Sequence, residues 1–417
     1  MTARLPLTPV NAAPYRLVGA TLIDGTLSDP LPDAEVEVVE GRIAYVGPRR
    51  PSGRGRAIDL GGRFLLPGFV DAHVHLVMST AASRSEQADW FDEEWVVAAL
   101  ANLRATVEAG VTTARDLSGL TPGYRSAVAS GAVAGPRLHL AISMLSPTGG
   151  HADPVRANGS VPVWAARGAA SGVAVVDTPD EVVKVVRELV RTGADVIKVC
   201  TSGGVTSPHD SPEDRGLPRE HVELVVAEMR GRHGQPVAAH AQNDEGVRAA
   251  VLGGAASIEH GYDMSDETIA LMLERGTTLV PTLSTLLRPS SSGDDPARRR
   301  RQERAITAIS AAVARGVAVA MGTDAGIHPQ GRNLTELGHL VGVGLTPLRA
   351  VHAGTLAGAR LLRLDEHLGS VEAGKLADLV VTAVDPLADL DALGDPTAVR
   401  AVVQGGRFVK DLDGLAR

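Results

Sequence analysis

The sequence predicts an α/β protein: a (β/α)8 TIM barrel with a small β-sandwich formed by the N- and C-terminal segments. Three observations lead there. Eight short apolar segments alternate with amphipathic helical patterns between Phe69 and Gly322. Residues able to do chemistry recur at the C-terminal ends of those segments. Before Leu66 and after Leu364 the pattern turns to short β segments separated by Gly and Pro. The expected boundaries are 1–66 and 364–417 for the sandwich and 67–363 for the barrel. An open doubly wound sheet is the alternative, but its GxGxxG fingerprint is missing after the first barrel strand.

Composition bounds what such a chain can do. Hydrophobic residues make up 44% and charged residues 22%, the mix of a soluble protein with a sizeable core, and with 3% aromatics that core must be Ala, Val and Leu. The net charge of −8 argues against a nucleic-acid partner or an anionic membrane, and the run Arg298–Arg301 reads as a solvated helix face. A single cysteine, Cys200, excludes an intramolecular disulfide and suits a reducing compartment. Met1–Tyr15 has no apolar leader core and no run is long enough to span a membrane, so a cytoplasmic protein is expected, associating as a homo-oligomer.

Taken in order, Arg16–Ile23, Glu35–Glu40, Arg42–Val46 and Arg56–Leu60 read as strands, with turns at Asp24-Gly25 and Glu40-Gly41. Pro67-Gly68 then breaks the chain, and Phe69–His75 reads as a buried strand. Alternation places Asp71, His73 and His75 on one face of it. The remaining barrel strands are Val111–Asp116, Arg137–Ala141, Asp195–Val199, Pro236–His240, Ala256–His260, Thr278–Pro281 and Val317–Gly322. Helical patterns between them include Glu93–Ala109, Pro179–Thr192, Pro218–His233, Asn243–Leu252, Ser265–Glu274 and Asp295–Ala314. Gly369–Val381 and Val399–Val409 return to β character and can pair with the N-terminal strands.

In a barrel of this kind function sits at the C-terminal strand ends. Strand one ends in His73 and His75, strand four carries Lys198, strand five ends in His240, strand six in His260 and strand eight in Asp324. Each has an ordinary explanation alone, such as a core histidine or an aspartate that caps a helix or sits in a turn. Four histidines, a lysine and an aspartate at one mouth do not share one. Two divalent ions about 3.5–4 Å apart can bridge a water, lower its pKa towards about 7 and polarise a carbonyl. His73, His75 and Asp324 would hold the first ion, and His240 and His260 the second. Lys198, as a carbamate formed with carbon dioxide, would bridge them, which also removes the cost of burying its charge. Asp324 would then be the general base that takes the proton of the bridging hydroxide and passes it to the leaving group.

Pro67-Gly-Phe-Val-Asp-Ala-His-Val-His75, Lys198, His240, His260 and Gly322-Thr-Asp-Ala-Gly326 resemble the binuclear metal amidohydrolase superfamily over essentially the whole chain. Gly369-Ser-Val-Glu-Ala-Gly-Lys-Leu-Ala-Asp-Leu-Val380 resembles the accessory sandwich of that superfamily. Ser146-Pro-Thr-Gly-Gly-His-Ala-Asp153, Ser257-Ile-Glu-His-Gly261 and Asn333-Leu-Thr-Glu-Leu337 are similar to the imidazolonepropionase-like branch, which includes prolidase-like and carboxypeptidase-like hydrolases. The resemblance implies hydrolysis of an amide or peptide C–N bond in a small-molecule substrate. It implies two divalent ions, with zinc expected although the same donors suit Mn, Co or Ni. Deaminases and true imidazolonepropionases generally use one metal without the lysine, so Lys198 weighs against them.

The resemblance also suggests substrate contacts. His151 would bind a carboxylate, and Tyr262 and His328 would line the pocket. Prolidase-like relatives tend to have Tyr two residues after the strand-five histidine, where this chain has Gln242, which favours an N-acyl or N-aroyl amino acid over an Xaa-Pro dipeptide. His139 reads as core, Cys200 as a pocket filler and Ser202–Thr206 as a flexible loop over the mouth. The alternatives are a deaminase, which needs an acid near strand five where Asn243 and Glu245 lie, a lactone or ester hydrolase, and a non-catalytic scaffold.

Overall fold

The computed structural model describes residues 13–82, 86–87, 89–160, 172–205, 207, 209–232, 234–289 and 295–416. Residues 1–12, which hold most of the segment searched for a leader, lie outside the described residues, as do Thr206 and His233. None of the described helices is long and apolar enough to cross a membrane.

The N- and C-terminal strands share one sheet. Its N-terminal strands are β1 (Tyr15–Leu22), β2 (Leu31–Val39), β3 (Arg42–Pro48), β4 (Arg56–Asp59) and β5 (Phe64–Pro67). Between them and the C-terminal strands run β6 (Phe69–Val74), β7 (Val111–Asp116), β8 (Arg137–Leu140), β9 (Met144–Ser146), β10 (Val173–Val175), β11 (Ile197–Cys200), β12 (Val237–Ala241), β13 (Ser257–His260) and β14 (Thr278–Val280). The chain closes with β15 (Leu379–Thr382), β16 (Val399–Gln404) and β17 (Arg407–Asp411). The terminal sheet runs β17-β16-β15-β5-β1-β2-β3, with β4 also on β1. Its junction is antiparallel, Pro67 opposite Leu379 and Leu65 opposite Val381. Leu17, Val36, Leu379 and Val403 form part of an apolar cluster of its own, separate from the large central core. Two expectations change in detail. The strand expected over Gly369–Val381 begins only at Leu379, after a Gly-containing turn, and Val399–Val409 is a hairpin broken at Gly405-Gly406, both with positive φ.

The central strands are parallel and fall into two ladders, β6-β7-β8 and β10-β9-β11-β12-β13-β14. All residues of β6, β7, β11, β12 and β13 are buried, as expected for parallel strands covered on both faces. Asp195 and Val196, just before β11, donate to the Leu140 carbonyl of β8 at 2.7 and 3.4 Å. β9 and β10 were not expected, because three-residue strands show no periodicity. The strand expected over Val317–Gly322 is not a continuous ladder. It makes single bridges, Leu279 with Val319 and Val74 with Ala325, supported by Ala320 N to Leu279 O at 3.0 Å and Ala72 N to Met321 O at 2.9 Å. The left-handed backbone at Asp324, φ 57°, breaks regular pairing there.

Local signals set the helices. Thr178 caps Pro179–Thr192 with a reciprocal bond to Glu181, and Gly193 ends it at φ 112°. Asn243 caps Asp244–Gly253 by accepting from Gly246 N at 2.7 Å, which commits that side chain to structure.

Gly322 decides how near the last segment comes to β6. A Cβ there would lie 2.3 Å from Val280 Cγ1 and 2.9 Å from His73 Cβ. Gly322→Ala is expected to cost about 1–3 kcal/mol, as overpacking does. Denaturant melts check this, and a midpoint equal to that of the parent contradicts it.

Candidate metal centre

His73 and His75 leave the C-terminal end of β6 at a place that is almost fully buried, 1% and 6% exposed. Their Nε2 atoms lie 3.3 Å apart, and Asp324 Oδ1 lies 3.5 Å from the first and 3.3 Å from the second. One donor atom from each of the three lies within 4.8 Å of the others. The His260 ring sits against His73 with centroids 5.1 Å apart, and His240 sits against His260 at 4.6 Å. Lys198, 2% exposed on β11, lines the same cavity and makes no hydrogen bond among the described residues.

What holds each imidazole shows what its free nitrogen can do. His73 Nδ1–H donates to Glu259 Oε2 at 2.8 Å, leaving a lone pair on Nε2. His240 Nε2–H donates to the Gly203 carbonyl at 3.0 Å, leaving the lone pair on Nδ1. Nδ1 of His75 is bonded to Ser118 Oγ at 2.9 Å, and Nδ1 of His260 to Thr282 Oγ1 at 2.7 Å. Outer bonds of this kind fix ring orientation in metal sites. Burial pushes the pKa of His73 and His240 well below the ordinary value and that of His260 down to about 3, so these rings are neutral. Burial alone would raise Asp324, but His75 and His73 beside it hold the carboxyl below its usual range. Burial likewise lowers Lys198, favouring the uncharged amine. Two imidazoles and a carboxylate converge at His73, His75 and Asp324, a donor set that fits a divalent cation.

Backbone strain marks the same place. His260 and Asp324 both have left-handed backbones, φ 76° and 57°. Neighbours on a strand should point apart. The twist at His260 instead lets both Glu259 and His260 meet His73. Alternation therefore hid Glu259 from the sequence reading, together with the Arg115 that holds it. Arg115 Nη2 donates to Glu259 Oε1 at 2.8 Å, its Nε to the Ala72 carbonyl at 2.5 Å, and both side chains are fully buried. Glu259→Gln is expected to weaken metal retention about 10–100-fold, since that is the usual effect of losing a ligand's hydrogen-bond partner. Competition against a graded chelator reads it, and unchanged retention counts against a positioning role.

Asp71, although on the His73 strand, is not drawn into the cluster. It accepts from His73 N, from Thr323 N and Oγ1, and from Asn333 Nδ2, tying β6 to the Asp324 loop, and burial raises its pKa to about 6.

The centre opens into a cavity of about 990 Å³ whose wall includes His151, Gln242 and Tyr262. His151 stacks on His240 at 3.9 Å between centroids, with Nδ1 3.3 Å from Asp210 Oδ2. The backbone of Gln242 donates to Ser202 Oγ, while the Tyr262 hydroxyl is bonded to Thr282. His328 is not part of the wall; its Nε2 is 3.3 Å from the Arg332 carbonyl, and Ile327 takes the lining position. His139 lies buried in β8 outside the cavity, and Cys200 packs on Met144 with its thiol pKa pushed up by burial to about 12.

A model of the amidohydrolase family matches residues 64–409. The chain belongs to the amidohydrolase family. Among curated relatives it is 28% identical to the ochratoxinase of Aspergillus niger over a 439-residue alignment, covering 97% of this chain and 89% of that protein. It is 26% identical to the imidazolonepropionase of Sphingopyxis alaskensis over 393 residues, covering 86% and 88%. A Xaa-Pro dipeptidase solved with methionine in its active site superposes with a TM-score of 0.86 at 30% identity, covering 95% of this chain and 99% of that one. The family match over residues 64–409 takes in the strand ends that carry the buried histidines.

Proposed function

We propose that this amidohydrolase is a metal-dependent hydrolase of amide or peptide C–N bonds. The observation that carries the reading is the convergence of His73, His75 and Asp324, with the outer ring nitrogens already bonded. These three would hold one divalent ion, and His240 and His260 a second, with zinc the proposed metal and Lys198, as a carbamate, completing the donor set. When bound, such ions act as Lewis acids on the scissile carbonyl and lower the pKa of a water towards about 7. Asp324 accepts a proton from the attacking water and returns it to the departing nitrogen. The burial of Asp324, 6% exposed, keeps that proton from bulk solvent. His151, Gln242 and Tyr262 shape the cavity in which the carbonyl is presented.

The proposed scaffold is the closed barrel over 67–363, with the terminal segments 1–66 and 364–417 as an accessory sandwich. It is supported by the bonds of segment 318–325 to β14 and β6, by those of Asp195 and Val196 to β8, and by the likeness to solved amidohydrolases. A deaminase is disfavoured on a specific ground: Asn243 serves as a helix cap, and Glu245 is exposed and paired with Arg215 at 2.9 Å. The test is elemental analysis together with an amide panel of N-acyl amino acids, dipeptides and aryl amides. About two divalent ions per chain, with hydrolysis abolished by chelation and restored by zinc, is expected. Cleavage that survives full removal of metal, or a metal-loaded protein that deaminates but cleaves no amide, overturns the reading.

A further inference from the structure

The four-arginine run does not lie wholly in solvent. On the helix Pro296–Ala314, Arg298 and Arg301 are one turn apart and both line the cavity, together with Arg288, while Arg299 and Arg300 are exposed. Arg288 is tied to the loop bearing Asp324, and Arg298 to Arg288. Arg288 Nη1 donates to the Ile327 carbonyl at 3.2 Å, and Ile327 N donates to the Asp324 carbonyl at 3.0 Å. The Arg298 guanidinium donates to the Arg288 carbonyl. Nearby acids face the other two arginines by which this helix reaches the cavity: Asp295 lies 4.0 Å from Arg301 and Asp263 lies 4.0 Å from Arg304. Among the described residues no carboxylate reaches Arg288 or Arg298 within that distance.

We propose that Arg288 and Arg298 form an anion-binding subsite, so that the amide substrate carries a carboxylate on its amine portion. This deepens the amide-hydrolase reading and rests on it. A guanidinium offers five N–H donors in a rigid fork that matches a carboxylate, and here only one donor of each arginine is bonded to a described residue. His151 is a poorer receptor, because the Asp210 carboxylate is already 3.3 Å from its ring and repels a second one. Trp95, Val96, Tyr124 and Met78, elsewhere in the wall, offer apolar surface to the remainder of the molecule. The cavity, at about 990 Å³, lies at the large end of the range usual for ligand pockets. The substrate class is therefore an N-acyl or N-aroyl amino acid with a bulky apolar arm.

The test uses metal-loaded, full-length protein and two probes that contain no carboxamide bond, N-(p-toluenesulfonyl)phenylalanine and its decarboxylated analogue N-(2-phenylethyl)-p-toluenesulfonamide. Calorimetry is expected to show the acid binding about tenfold more tightly, the scale of one charge-assisted hydrogen bond. Arg288→Gln and Arg298→Gln should each remove most of that preference, Arg298→Lys should retain part of it, and Arg299→Gln, with the same change in net charge, should leave it intact. Equal binding of the two probes by the parent, no binding of either, or equal losses in Arg298→Gln and Arg299→Gln overturns the subsite. An intact preference with no amide cleaved by the parent overturns the hydrolase reading and leaves the subsite standing.

Discussion

Asp324→Asn is expected to lower kcat by about 10²–10⁴-fold, the range for loss of a general base, with weakened metal binding adding to it. The substitution isolates the charge. Asparagine has nearly the same shape, and among ordinary residues Asn and Asp are the ones most at ease at a left-handed backbone, so φ 57° at this position is tolerated. Asp324 contributes to the fold mainly through its main chain, which accepts from Ile327 N and donates to the His73 carbonyl at 2.8 Å, and Asn preserves both bonds. The circular dichroism spectrum and melting midpoint should therefore stay near those of the parent while turnover collapses. An Asn variant within about tenfold of the parent kcat contradicts the assignment of Asp324 as the base.

Lys198→Ala should abolish measurable turnover and release most of one equivalent of metal. The side chain is large, almost fully buried and flanked by the charges of Glu259 and Asp324, so its removal leaves a hole beside the histidines. Small carboxylic acids such as acetate or propionate can enter that hole and supply the two oxygens that a carbamate would. They should partly restore both metal content and activity, in a saturable manner. A variant that keeps two metals and full activity ends the bridging role of Lys198. Restoration by neutral amides of the same size would show that filling the hole matters, rather than its charge.

The sequence made some of this site legible and hid the rest for identifiable reasons. His73 and His75 stood out because period-two alternation in a buried strand puts them on one face. Lys198 stood out because a cation in an apolar strand needs an explanation. Glu259 did not, because alternation pointed it away from His260, and only the twist at that residue brings both to His73. Arg115 is one polar residue in a strand that also carries Thr112, Thr113 and Asp116, and its partner lies on a distant segment. Arg298 and Arg301 were misread as solvent-facing because composition does not say how a helix is rotated about its axis when it docks. β9 and β10 were too short to signal themselves, and the segment over Val317–Gly322 reads as a strand although Gly322 and Asp324 interrupt its pairing.

The junction between β5 and β15 has a consequence for the chain as it is being made. Leu65 and Pro67 emerge from the ribosome long before Leu379 and Val381, their partners. Until then β5 presents an unpaired, apolar edge, the kind of surface that recruits strands from other molecules. Nascent chains halted before Leu379 should accordingly be captured by chaperones or aggregate, however well their central strands have formed. A circular permutant that joins the native ends and opens the chain in an exposed loop of the central region would make the two halves of that sheet neighbours in synthesis. Its refolding yield should exceed that of the native order, because the longest-range strand ladder among the described residues becomes a much shorter-range one.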